Sequence, residues 1–182
     1  TSTMGRGYAR GRAPVNLDTP RGPGHAGTGI AMDSRLIADN KLFAGLGRGM
    51  VARCARAAET RAFAAGATVW NEGDPSLGVL LVLDGELALA QRAASGAPVE
   101  LTRCGRGAFL GATSVLLGTR VHTATVTAAT AATVALLPPE RFSTLAAAEP
   151  RLAMNAFAHV AEHLARANAH LREAAERDRG EL

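Results

Sequence analysis

Between Arg61 and Pro138 the chain is a succession of short β-rich runs: Thr68–Trp70, Val79–Leu83, Glu86–Gln91, Val99–Cys104, Thr123–Thr127 and Thr133–Leu137. Gly, Pro, Asn and Asp separate them. Several short strands at this spacing indicate a β-barrel or β-roll rather than a helical or parallel α/β fold. Helical patterning flanks the run on both sides. From Asp33 to Ala58, Leu42, Phe43, Leu46, Met50, Val51 and Cys54 recur at three- and four-residue intervals. Gly45, Gly47 and Gly49 are expected to break that stretch into two pieces.

After Pro138 the helical pattern returns. Pro139 suits the first turn of a short helix over 139–148, and Pro150 suits the start of the next. That last helix is expected over 151–178. Phe157, Val160, Leu164, Ala167, Leu171 and Ala174 form a heptad-like seam along it. Such a seam is longer than one β-roll needs on its flank, so part of it is expected to pack against a second copy of the chain. The predicted fold class is therefore α+β, a double-stranded β-helix (jelly-roll-like β-roll, 61–138) flanked by N-terminal helices and a long C-terminal helix.

The length of 182 residues allows one ordinary domain with a single sizeable core. Residues 1–31 are rich in Gly, Pro, Arg and Thr without any period, and are expected to be a disordered tail or linker ahead of a 32–182 domain. Arg6, Arg10, Arg12 and Arg21 against Asp18 give that stretch a net charge of +3, out of a formal total of +4. The folded part is thus nearly neutral. A DNA-reading domain carries its positive charge on a folded face, so direct nucleic-acid binding is not expected. No run of about 18 apolar residues predicts a membrane span. No secretory signal pattern opens the chain, which makes the cytoplasm the expected compartment.

Chemistry-bearing motifs are sparse. Cys54 and Cys104 sit in apolar contexts and read as small buried hydrophobes. His159-Val-Ala-Glu162-His163 matches the H-x-x-E-H pattern, with His170 on nearly the same helical face. The context a metallo-enzyme needs is lacking, so a polar flank beside the seam is expected and no metal ligand is assigned. No Walker loop, nucleophile elbow or dinucleotide fingerprint occurs, and Ser114 and Ser143 have no base partner in sequence. No enzymatic activity is expected.

The order helix, roll, helix, with the following residues, resembles the cyclic-nucleotide-binding domain of the Crp/Fnr type over about Leu36 to Ala175. Leu42-Phe43-Ala-Gly-Leu46 is similar to the family's first helix. Phe63-Ala-Ala-Gly66-Ala-Thr-Val69-Trp70-Asn-Glu72-Gly73-Asp74-Pro75 resembles its first hairpin, and Val79–Leu83 with Asp84-Gly85-Glu86 its next strand and an Asp-Gly hairpin. Val134-Ala-Leu-Leu-Pro-Pro-Glu-Arg-Phe142 resembles the last strand entering the hinge helix.

Phe109-Leu-Gly-Ala-Thr-Ser-Val-Leu-Leu-Gly-Thr-Arg-Val-His-Thr-Ala-Thr-Val126 resembles the family's phosphate-binding cassette. The resemblance implies a short helix whose N-terminal N–H groups face a cyclic phosphate. It also implies an Arg that pairs with the phosphate and a Glu that accepts from the ribose hydroxyl. Here those two positions are His122 and Ala112. A charge-assisted hydrogen bond contributes about 1.5–3 kcal/mol, so losing both weakens binding by about two to four decades. Arg120, two positions before His122, faces the same side if the segment is extended. The candidate site is Phe109, Gly111, Ala112, Thr113, Ser114, Arg120, His122 and Thr123, with Asn168 on the long helix where the family touches the base.

The resemblance implies a non-catalytic sensor module that signals through its C-terminal helices, with weak or lost cyclic-nucleotide binding. Cyclic AMP or cyclic GMP is the ligand class implied, with another small anionic or apolar ligand, or no ligand at all, as the alternatives. A homodimer through helix 151–178 is expected, fused or docked to an effector domain. Only Arg179 to Leu182 follow that helix, so the helix-turn-helix of Crp/Fnr regulators is not expected. The alternative is a Crp/Fnr-type transcriptional regulator subunit that binds a cyclic nucleotide and depends on a partner for DNA binding.

Overall fold

A computed structural model describes residues 34–180. The disordered tail expected over 1–31 lies outside the described residues. The chain begins with α1 (Arg35–Ala38), a 3-10 turn (Lys41–Phe43) and α2 (Arg48–Ala57). Strands β1 (Glu59–Phe63), β2 (Thr68–Trp70), β3 (Val79–Asp84), β4 (Leu87–Arg92), β5 (Pro98–Cys104) and β6 (Phe109–Leu110) follow. Then come α3 (Ala112–Leu116), β7 (Thr125–Ala128), β8 (Ala132–Leu137), α4 (Pro139–Ala148) and α5 (Pro150–Gly180).

The strands form two antiparallel four-stranded sheets, β1-β8-β3-β6 and β2-β7-β4-β5. Apart from β4 and β5, successive strands switch sheets, which gives the jelly-roll-like β-roll predicted from the sequence. Two segments that resembled hairpins are crossovers instead. β1 pairs with β8 while β2 pairs with β7, and β3 pairs with β8 and β6 while β4 pairs with β5 and β7. At the second crossover Gly85 adopts φ +78, and a Cβ there would overlap the carbonyl of Ala131. The sharp corner, rather than a two-residue turn, is what this glycine permits. β4 and β5 do form a hairpin, with a bulge between Leu89 and Ala90.

Side-chain alternation explains the two layers of core. In β3 and β8, Leu80, Val82, Val134 and Leu136 point into the space between the sheets, where they meet Trp70, Leu87, Leu110 and Val126. Val79, Leu81, Ala135 and Leu137 point the other way, onto a helical layer of Ile37, Leu42, Phe43, Val51, Phe142, Leu145, Leu152 and Ala156. Both central strands are therefore buried on both faces, which is why they read as near-continuous apolar runs. The second sheet leaves its outer face to solvent, and β5 is exposed along most of its length.

Two asparagines bolt the helical layer to the roll. Asn40 is buried; its Oδ1 accepts from the Leu42 N–H at 2.9 Å and its Nδ2 donates to the Gly107 carbonyl at 2.9 Å. Asn155 on α5 donates from Nδ2 to the carbonyls of Leu42 and Ala44, each at 2.9 Å. One face of α5 thus packs on its own domain through Leu152, Ala156 and Val160. The other carries Met154, Phe157 and Leu164, which are 65%, 59% and 62% exposed. The side chains of Leu171 and Ala174, placed on the same seam, lie outside the described ones. No helix among the described residues is long and apolar enough to cross a membrane.

Candidate functional site

The cassette begins where β6 ends. Gly111 takes φ +81 as the N-cap of α3, and a Cβ there would overlap the carbonyl of Gly78. This backbone-on-backbone approach requires glycine. Ala112 is 3% exposed and packs into the helical layer with Phe109. It therefore offers no acceptor to a sugar. Thr113 is half-buried and Ser114 buried, whereas Leu117 to Val121 form an exposed loop. Thr123 is exposed, and Gln91 Nε2 donates to its carbonyl at 2.8 Å.

The loop returns to the roll along the Glu72–Leu77 turn. The Gly73 N–H donates to the His122 carbonyl, the His122 N–H to the Asp74 carbonyl and the Ser76 N–H to the Arg120 carbonyl, each at 2.8 Å. Arg120 sits at φ +58. The extended geometry that would put it beside His122 does not hold, and its side chain is exposed.

His122 itself turns inward. It is 2% exposed, and its ring stacks on the indole of Trp70 with centroids 3.9 Å apart and planes 3° from parallel. Its Nε2 accepts from the Leu77 N–H at 2.9 Å, which places the ring proton on Nδ1. Trp70 Nε1 donates to the Ala124 carbonyl at 3.0 Å. Burial pushes the His122 pKa down to about 4, although the nearby Asp74 charge opposes the shift. Protonating it at pH 7 to meet a phosphate costs about 4 kcal/mol. The ring is thus a neutral acceptor in this setting.

The stack occupies the interior next to the start of α3; the Trp70 ring lies within van der Waals reach of where a Gly111 Cβ would be. Beside it remains a void of ≈ 10 Å³ lined by Phe63, Val69, Leu77, Leu80, Val134 and Leu136, with Arg61 at its edge. That is room for about one water, against the about 300–1,000 Å³ of an ordinary ligand pocket.

The remaining candidates are dispersed. Asn168 is exposed on α5. Phe109 is buried and meets His159 of α5, with ring centroids 4.1 Å apart. Sequence reasoning assigned no role to Trp70, Leu77, Asn40 or Asn155. Trp70 was visible only as the chain's single tryptophan two residues before a turn. Burial raises the pKa of both cysteine thiols, Cys54 to about 11, so neither is a reactive thiolate.

Residues 60–149 match the family described as cyclic nucleotide-binding domain. No curated protein sequence matches the chain. The catabolite activator protein of Thermus thermophilus is 25% identical, with a TM-score of 0.68 over 75% of this chain and 63% of that one. The chain thus spans less than two thirds of that relative's length. The N-terminal domain of a transcriptional regulator from Streptomyces coelicolor A3(2) is 26% identical, with a TM-score of 0.58 over 74% and 95%. The regulatory subunit of a cAMP-independent protein kinase A from Trypanosoma cruzi, bound to guanosine, shares the fold at 21% identity, with a TM-score of 0.60 over 66% and 44%. Residues 60–149 belong to the cyclic nucleotide-binding domain family, and the chain carries them on the α+β roll of Crp-type proteins.

Proposed function

We propose that this chain is a non-catalytic regulatory module whose nucleotide pocket is filled by its own Trp70–His122 stack. The observation that carries this reading is that stack, buried and closed onto the Leu77 N–H. Two further features support it. Ala112 and the neutral His122 do not fit a cyclic nucleotide, because they supply neither the ribose acceptor nor the phosphate cation. The void beside Trp70, on the side away from the cassette helix, is also too small for a nucleoside. The domain then responds to a partner rather than to a cyclic nucleotide. Contact at the cassette shifts α4 and α5, because Phe109 rests on His159 of α5. The exposed stripe Met154, Phe157 and Leu164 pairs two copies of the chain. A guanosine-bound relative named cAMP-independent is consistent with a roll of this kind that no longer answers to cAMP.

The competing reading, a transcriptional regulator subunit that binds a cyclic nucleotide, draws on the two relatives named as activator and regulator. Calorimetric titration of the chain with cyclic AMP and cyclic GMP separates the two. The expected result is no binding heat, and a low-micromolar Kd overturns the proposal. Adding Ala112→Glu and His122→Arg restores the missing partners but leaves Trp70 in place. That pair is expected to gain measurable binding only when Trp70→Leu is added.

A further inference from the structure

We infer that His159 and His163 form a two-histidine chelate for a divalent late-transition-metal ion at the contact between α5 and the cassette. The two side chains are one helical turn apart, so they share a face of α5. Their Nε2 atoms converge to 3.1 Å, and the rings meet edge to face with centroids 4.4 Å apart. Imidazole binds such metals at about 2.0–2.1 Å. A 3.1 Å separation of the two nitrogens then subtends about 100° at a shared ion, given bonds of that length. That angle lies between the cis angle of tetragonal copper or nickel sites and the tetrahedral angle of zinc. In the metal-free chain this contact is a hydrogen bond, so one ring gives up its Nε2 proton and the rings turn slightly for both lone pairs to meet one ion.

The surroundings fix the rings in place. His159 is pressed on Phe109, 4.1 Å between centroids, and both histidines are only half-buried, so an ion reaches them from solvent. Glu162 and Arg166 both act electrostatically on the pair, with opposite signs. No cluster of three His, Cys, Asp or Glu occurs among the described residues. The protein gives two ligands and water completes the shell, which suits reversible rather than structural binding. Imidazole donors and the ordering of divalent affinities favour copper(II) over nickel and zinc. The sequence reading assigned no metal here because the context a metallo-enzyme needs is lacking; the convergence of the two ring nitrogens is seen only in the structure. The inference does not depend on whether the pocket accepts a nucleotide.

The test is a titration of untagged, chelator-stripped full chain with copper(II), read by calorimetry and by electron paramagnetic resonance. One equivalent per chain with two coordinated imidazole nitrogens is expected, together with a raised Tm. His163→Gln is expected to weaken binding by roughly tenfold or more and to abolish the Tm rise, whereas His25→Gln and His170→Gln leave both unchanged. Circular dichroism confirms that each variant is folded. Tight binding that survives His163→Gln, or no one-equivalent binding in the wild type, overturns the inference.

Discussion

The indole of Trp70 and the imidazole of His122 lie 3.9 Å apart and within 3° of parallel, although 51 residues lie between them. Trp70 comes from β2 and His122 from the end of the cassette, so the stack ties the wall of the roll to the cassette loop. Such a pair contributes about 0.5–1.5 kcal/mol beyond its buried area. The Leu77 N–H bond makes the imidazole harder still to displace.

The stack makes the domain acid-sensitive. His122 has a folded pKa of about 4, below its ordinary value of 6.5. The unfolded chain therefore takes up a proton first, and stability rises with pH through that window. The contribution is complete above pH 6.5 and is lost as the pH falls toward 4, amounting to about 3 kcal/mol. His122→Gln keeps an acceptor for the Leu77 N–H but does not titrate. Urea midpoints at pH 7.5 and pH 4.5 are expected to differ less for this variant than for the wild type.

Asn155→Ala removes both donors that join α5 to the carbonyls of Leu42 and Ala44. Loss of a part-buried side-chain partner costs about 1–3 kcal/mol. Denaturant unfolding is expected to show that loss, and hydrogen exchange is expected to speed up in the first turns of α5. An unchanged midpoint would show that the bolt contributes nothing.

Much of this architecture was legible beforehand, because side-chain burial follows local period. β3 and β8 read as apolar runs since both faces are covered, and α4 and α5 announced themselves through Pro139 and Pro150. β1 was partly missed because Glu59, Thr60 and Arg61 lie largely exposed on an edge strand and show no apolar face. β6 is two residues long and shorter than any period. The site was legible only as missing chemistry. Ala112 and His122 marked what a phosphate would lack, but nothing local to residue 122 indicates that its ring turns inward onto Trp70. Arg120 was misplaced for a similar reason: its left-handed backbone cannot be read from a loop with no period.

The exposed apolar stripe on α5 gives a separate expectation. Phe157 is 59% exposed and Leu164 62% exposed, so a charge at either costs the isolated domain little. Phe157→Glu is expected to leave the far-ultraviolet spectrum and Tm nearly unchanged while converting a sedimenting dimer to monomer. A dimer that persists in both Phe157→Glu and Leu164→Glu places the interface elsewhere.

Because Trp70 is the only tryptophan, its fluorescence reports on the Trp70–His122 stack without a label. The decisive measurement is its emission and its quenching by iodide as cyclic AMP or cyclic GMP is added to millimolar concentration. Blue-shifted, shielded emission that does not respond to either nucleotide is the expected result. A solvent-like emission, or a saturable change at micromolar nucleotide, would contradict the closed pocket.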